Sequence, residues 1–378
     1  MSLKLTPRPS TVKSIRRARQ LSIEAVSSEA NIAPDVLTEI ETNPTDVTKR
    51  VAFSLASAMA VPVQFLFAAE VSIDASMPDF RTTNNRPAIL TSAGLTRIAR
   101  ARSIVAYLAD QTFDDWNKFA NTHSITVNQQ AAAQKLLQSL YVPIRRADGS
   151  VDPTLTFRET RVSLEREGII VLCDRVADPF RGFCYAPPGE FPIIFVNTTG
   201  QRPATKLFTL MHEVVHVLLG KTGVSDPAII NNQVERFCNS VTASVMMPED
   251  QFSQAYSRVA SRDPRTAVDI LSRRFGASKQ ASALRVSDLG LNKGFYAAWS
   301  ATLPSKVPTI EEEDEGEESS GGGGISSQIA RFGYLLPNML IAAVDKRAIS
   351  QFDAYRLTNL KPSTIKQIAS RAVGRLGQ

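Results

Sequence analysis

His212-Glu213-Val214-Val215-His216 decides how this chain is read, because two histidines four apart, with a glutamate after the first, are what a hydrolytic zinc site asks of a helix. Four residues advance a helix by about 400°, so both imidazoles leave one face about a turn apart and can grip a single ion. Glu213 lies about 100° around from His212, near the ion yet available as general base. Leu207 to Met211 lead in, Val217 to Leu219 follow, and Gly220 ends the run, so the pattern predicts a buried apolar helix. Two of the chain's three histidines fall in this pentapeptide, and the third, His123, stands outside any ligand spacing.

Catalytic zinc needs a third protein ligand and an open position for water. Glu235 is the candidate, in Val234-Glu235-Arg236-Phe237-Cys238-Asn239, which reads as the helix that follows a loop from Gly223 to Asn232. The competing reading of a helical glutamate is a solvated charge. With it, His212, His216 and Glu235 make the His2Glu set of a zinc peptidase, and the expected cofactor is Zn2+. Cys238 either approaches the metal or fills buried space as a small residue.

These segments resemble the ImmA/IrrE metallopeptidases. The resemblance rests on Phe208 to His216, on Glu235-x-x-Cys238-Asn239, on Met246-Met247-Pro248 closing the second helix, and on Pro192 to Asn197 as a strand ahead of the first. Where the family usually has Ala-Asn-x-Phe-Ala-Ala, this chain has Cys238-Asn239-Ser240-Val241-Thr242-Ala243. The resemblance implies a gluzincin-like minimal peptidase fold, zinc, and a regulatory role in which a repressor is cleaved or otherwise removed.

Upstream, residues 11 to 69 read as four or five short helices. Ile15, Ala18, Leu21 and Ala25 to Val26 recur at helical spacing, Asn31 to Pro34 punctuate, and Val36, Leu37 and Ile40 resume the pattern. Helix, tight turn, second helix is the helix-turn-helix arrangement, and the segment resembles an XRE-type DNA-binding domain, with Leu55 to Pro62 as its last core helix. Thr38, Thr42 and Asn43 are candidates to touch bases; Lys13, Arg16, Arg17, Lys49 and Arg50 are candidates to hold phosphates. The would-be recognition helix nevertheless carries Asp35, Glu39 and Glu41 and no lysine or arginine, which leaves open a helix-turn-helix shape reused to dock a protein.

Beyond that unit, Leu95 to Leu108 predicts one long amphipathic helix. Gly168 to Leu172, Gly182 to Tyr185 and Phe191 to Val196 carry strand signals, giving a small sheet beside the zinc helix. Tyr185 and Asn197 are candidate substrate contacts at its rim, or purely structural residues. Residues 250 to 300 return to helices, and Ile329 to Val373 reads as a further helical unit. Between them, Glu311 to Glu318 carries seven negative charges and Ser319 to Gly324 follows, the composition of a flexible linker.

The overall expectation is an α+β chain. It comprises an all-α helix-turn-helix domain (1–75), a mainly helical metallopeptidase domain with a small β-sheet (76–300), the linker (301–325) and a helical C-terminal domain (326–378). The net charge of +6 hides +13 outside the acidic run, which makes a polyanion such as double-stranded DNA a plausible partner beside a protein substrate. Three cysteines without a Cys-x-x-Cys pair fit a reducing cytosol, and the residues from Met1 to Gln20 lack the apolar core of a secretory signal. The longest apolar run, Tyr334 to Val344, is too short to span a bilayer. The expected function is that of a cytoplasmic zinc endopeptidase acting on a regulatory protein. The alternative is a non-proteolytic DNA-binding or antitoxin-like regulator with a structural or sensing zinc.

Overall fold

A computed structural model describes residues 4–377 apart from 20, 62, 70–89, 110–124, 179, 188, 221–222, 226–232 and 304–323. His123 and the acidic, glycine-rich stretch fall outside the described residues. The chain divides into two compact units, residues 1–106 with 176–179, and residues 107–175 with 180–378.

In the first unit, helices α1 (Pro9–Ala18), α2 (Ile23–Ala30), α3 (Pro34–Thr42) and α4 (Lys49–Ala58) enclose a core of Val12, Ile15, Val26, Leu37, Ile40, Leu55 and Met59. Capping residues set the boundaries. Ser22 and Thr48 accept hydrogen bonds from the first turns of α2 and α4, and Pro34 occupies the first turn of α3. Asn31 adopts the left-handed conformation (φ 53°) that ends α2 and turns the chain into α3 within three residues. Strands β1 (Lys4–Leu5) and β2 (Val47–Thr48) pair antiparallel, a contact too short to announce itself by periodicity. Helix α5 (Ser92–Leu108) covers the amphipathic stretch expected there.

The second unit is α+β. Helices α6 (Gln130–Leu140) and α7 (Pro153–Arg166) precede strands β3 (Ile170–Asp174), β4 (Gly182–Tyr185) and β5 (Ile193–Asn197). Helix α8 (Pro203–Leu218), strand β6 (Gly223–Ser225) and helix α9 (Gln233–Met246) follow. Among the described residues the sheet order is β3-β5-β4-β6, with β3 parallel to β5 and the other pairings antiparallel. Strand β6 falls at the start of the segment read as a loop from sequence; three residues give too little alternation to identify a strand. The predicted strands are otherwise where expected, within two residues at each end.

Helix α8 packs on β4, β5, α7 and α9, so its whole C-terminal half from Leu210 to Leu218 is buried. That is why it reads as apolar on nearly every face. Gly220 closes it at φ 58°. Helices α10 (Glu249–Ser257), α11 (Pro264–Phe275), α12 (Lys279–Asp288) and α13 (Phe295–Ser300) extend the same core through Phe252, Leu271, Phe275 and Trp299. Helices α14 (Ile325–Phe332), α15 (Leu335–Asp345), α16 (Gln351–Thr358) and α17 (Pro362–Leu376) complete the unit, with α14 against β3 and α17 against α7. Among the described residues no helix is long and apolar enough to cross a membrane.

Candidate metal centre

Helix α8 carries His212, Glu213 and His216, and α9 lies beside it with Glu235 in its first turn. His212 Nε2 stands 3.1 Å from His216 Nε2 and 3.1 Å from Glu235 Oε2, while His216 Nε2 is 3.2 Å from Glu235 Oε1. Three lone-pair donors thus converge from two helices, all of them buried. Donors held about 2.0–2.1 Å from a tetrahedral centre lie about 3.3 Å apart, so these separations fit one small divalent ion.

The electrostatics agree. Burial pushes the Glu235 carboxyl upward, but hydrogen bonds and charge from the two imidazoles outweigh it and hold the group at about 2. Burial lowers His216, against the opposing pull of Glu235. An ionised carboxylate beside a neutral imidazole is the protonation state a metal requires of its ligands.

Cys238 follows Glu235 by three residues on α9, and its buried sulfur lies within 4.8 Å of ligand nitrogens on His212 and His216. Burial pushes its thiol well above the ordinary range, which makes it a small apolar neighbour in the absence of metal.

Glu213 is fully buried and faces β4. A Cβ at Gly182 would sit 2.8 Å from Glu213 Oε1, 2.8 Å from Thr209 Cγ2 and 3.0 Å from the Phe195 carbonyl oxygen. Only glycine leaves the space in which that carboxylate lies. Sequence reading missed Gly182 as a site residue, although a glycine opening a strand is a known mark of close approach by another group. Thr209 donates to Gln201 Oε1 at 2.9 Å, and Gln201 in turn reaches the carbonyls of Arg181 and Asn197, tying α8 to the ends of β4 and β5.

The two candidate substrate contacts sit at the ends of strands. Asn197 is buried; its Nδ2 donates to the Phe180 carbonyl at 2.9 Å and its Oδ1 accepts from Thr199 N at 3.1 Å, so the amide shapes the turn after β5. Tyr185 is half-buried at the end of β4, opposite Ile193.

In the first unit Lys13, Arg17, Thr38, Thr42, Asn43, Lys49 and Arg50 are exposed. Arg16 is not: its Nε and Nη2 donate to Glu41 at 2.6 and 2.8 Å, and its Nη1 donates to the Leu21 carbonyl. That pairing explains one acidic residue of α3, since Glu41 is buried and serves the core edge. The Thr38 and Thr42 hydroxyls donate to the Pro34 and Thr38 carbonyls, and Asn43 Nδ2 donates to Glu39 Oε1.

Residues 165–287 match the peptidase M78 family model, described as the IrrE N-terminal-like domain. The match spans about a third of the chain and includes His212, Glu213, His216, Glu235 and Gly182. It supports the ImmA/IrrE family, and with it a metallopeptidase type of protein and a metal at this centre. No curated protein matches the chain.

Proposed function

We propose that the chain is a zinc-dependent endopeptidase that acts on a regulatory protein, with a transcriptional repressor as the class of substrate. The observation that carries this reading is the convergence of His212, His216 and Glu235 at 3.1–3.2 Å, on a helix that also bears the buried carboxylate of Glu213. His212, His216 and Glu235 would hold the ion. Zinc bound there supplies Lewis acidity, polarising a peptide carbonyl and bringing a water's pKa towards neutrality.

The remaining chemistry belongs to the chain. Glu213 accepts the proton of the attacking water and returns it to the departing amine, so it works as base and then as acid. Gly182 leaves room for that carboxylate, and Thr209 and Gln201 fix the helix that presents it. The repressor class of substrate follows from the ImmA/IrrE resemblance. The XRE-like reading of residues 1–75 adds a proposed helix-turn-helix module, with double-stranded DNA as its candidate partner through the exposed Lys13, Arg17, Lys49 and Arg50.

A second reading is favoured by Cys238. Its sulfur close to both histidines offers a donor that would close the centre against water, as in a structural or sensing site. One experiment separates the readings. Elemental analysis of freshly purified protein should find about one zinc per chain, and Glu213→Gln should keep that zinc while cleavage of a candidate repressor falls by about a hundredfold or more. Absence of zinc, with no uptake on its addition, would remove the basis of the proposal; a Glu213→Gln chain as active as the parent would remove Glu213 as base.

A further inference from the structure

Arg161 and Glu165 stand one turn apart on α7 and form a buried ion pair, Nε to Oε1 at 3.1 Å, with side chains 7% and 0% exposed. Such a pair is costly unless its remaining donors and acceptors are satisfied. Here they are satisfied by the segment that follows the acidic stretch. Arg161 Nη1 donates to the carbonyls of Ile329 and Ala330 at 3.2 and 2.6 Å, and Nη2 reaches those of Arg331 and Val171. The first three of these carbonyls lie in the last turn of α14, where Ile329 also accepts from Gly333 N at 2.9 Å and the helix presents the negative end of its dipole.

Glu165 answers at the opposite pole. Its carboxylate accepts from the backbone N–H groups of Tyr334, at 2.9 Å, and Leu335, at the start of α15 where amides point outward unpaired. One ion pair therefore caps two successive helix ends. Gly333 makes this possible: it turns between them at φ 69°, and a Cβ there would overlap the Glu165 carboxylate.

The Val171 carbonyl adds a second function. Ile170 N donates to Pro192 on the β5 side, so the next residue along β3 turns its carbonyl to the open edge of the sheet. Arg161 takes up that edge carbonyl, and α14 lies against the strand. Around this centre, Arg331 pairs with Asp174 at 2.6 Å, and Arg166 donates to the Arg375 carbonyl at 2.9 and 2.6 Å. Phe332, Leu335, Leu336, Met339 and Leu340 are buried with it.

We infer that the surface formed by α7 and the edge of β3 is a docking site whose occupant is the chain's own segment 325–377, held by the Arg161–Glu165 clasp and not by the covalent link through residues 304–323. The segment behaves as a bound subunit of the second unit, and it shields a sheet edge that would otherwise be open to pairing with another chain. The inference is independent of zinc and of proteolysis.

The test uses the full chain with a protease recognition sequence inserted between Gly321 and Gly322. After cutting, the released fragment beginning at the inserted site should co-elute with the body on size exclusion at about 10 µM and separate only in denaturant. Gly333→Ala in the cut protein should weaken fragment binding by about a hundredfold or more, because it displaces a buried carboxylate from its partners. Arg331→Ala, which removes a half-exposed pair, should weaken it by about tenfold at most. Should Gly333→Ala give no soluble chain, Glu165→Gln carries the same test, with an expected weakening of about tenfold or more. A parent fragment that elutes apart from the body overturns the inference. So does a clasp variant that holds the fragment as tightly as the parent.

Discussion

Helices α8 and α3 are built alike at their starts and spent differently along their lengths. Each begins with proline in its first turn and lays an apolar stripe on its own core. In α8 the polar residues of the buried half are turned inward, where His212 and His216 meet Glu235 from α9. In α3 the polar residues left outside are mostly occupied within the helix, Thr38 and Thr42 bonding to carbonyls one turn back and Asn43 to Glu39. A buried polar group must have a partner of definite chemistry, so its identity points to what it binds. An exposed one has water, and its identity points to much less.

If that contrast holds, the largest effect belongs to the first-turn glutamate of α9. Glu235→Ala should lower metal affinity by about a thousandfold, more than the tenfold to hundredfold typical of a lost outer partner, whereas Cys238→Ala should change it by less than about tenfold. Competition with a chromophoric chelator measures both. A reversal, with Cys238→Ala losing the metal and Glu235→Ala keeping it, would assign the third ligand to the thiol that lies within 4.8 Å of the histidine nitrogens.

The next effect tests Arg16, a cation of the first unit that the structure pairs with the buried Glu41. Hydrogen bonding to Glu41 raises the Arg16 pKa despite burial, and the two side chains are 12% and 4% exposed. Arg16→Ala would leave Glu41 buried without its cation, at a cost of about 2–3 kcal/mol in the stability of this unit. Urea unfolding followed by circular dichroism reads it. A loss below about 0.5 kcal/mol would show that Arg16 behaves like an ordinary surface charge and would return it to the group available to phosphates.

A smaller effect is expected at Gly182. An added methyl there must move Glu213, Thr209 or the strand backbone, at a cost of about 1–2 kcal/mol. Because His212, His216 and Glu235 are elsewhere, Gly182→Ala should keep the metal content of the parent and, on the proposed mechanism, lose about tenfold in kcat with little change in KM. Full activity would mean that the Glu213 carboxylate has another place to lie, and that β4 does not fix it.

How much of this was legible in the sequence follows from the same contrast. The metal helix was readable because His212, Glu213 and His216 carry their geometry in their spacing, and because a helix apolar on nearly every side has to be buried. Glu235 was readable as a position but not as a partner, since the eighteen residues between His216 and Glu235 leave its approach to the histidines to the packing of α9 on α8. Strand β6 and the β1–β2 pair were not readable, being two or three residues long. The clasp of Arg161 and Glu165 looked like any i,i+4 pair on a helix surface; what distinguishes it is the arrival of a segment more than 160 residues away.

The smallest effect is also the one that bears on what α3 and its neighbours bind. Lys13 and Arg17 on α1, and Lys49 and Arg50 on α4, are exposed, and Lys49 Nζ lies 5.6 Å over the ring of the exposed Phe53. If these groups hold phosphates, each change to alanine should weaken binding of mixed-sequence duplex DNA by a similar factor for every sequence and lower the slope of log affinity against log salt by about one. Arg17→Ala and Lys13→Ala are the informative pair, because they sit on the same helix as the inward-facing Arg16. Asp35→Lys on α3 should then strengthen DNA binding, by removing a negative charge from the helix that would face the duplex. Fluorescence anisotropy across a salt series decides it. Slopes unchanged by all four alanines would leave the acidic face of α3, with Asp35, Val36 and Glu39 exposed on it, as a surface for a protein and not for a nucleic acid.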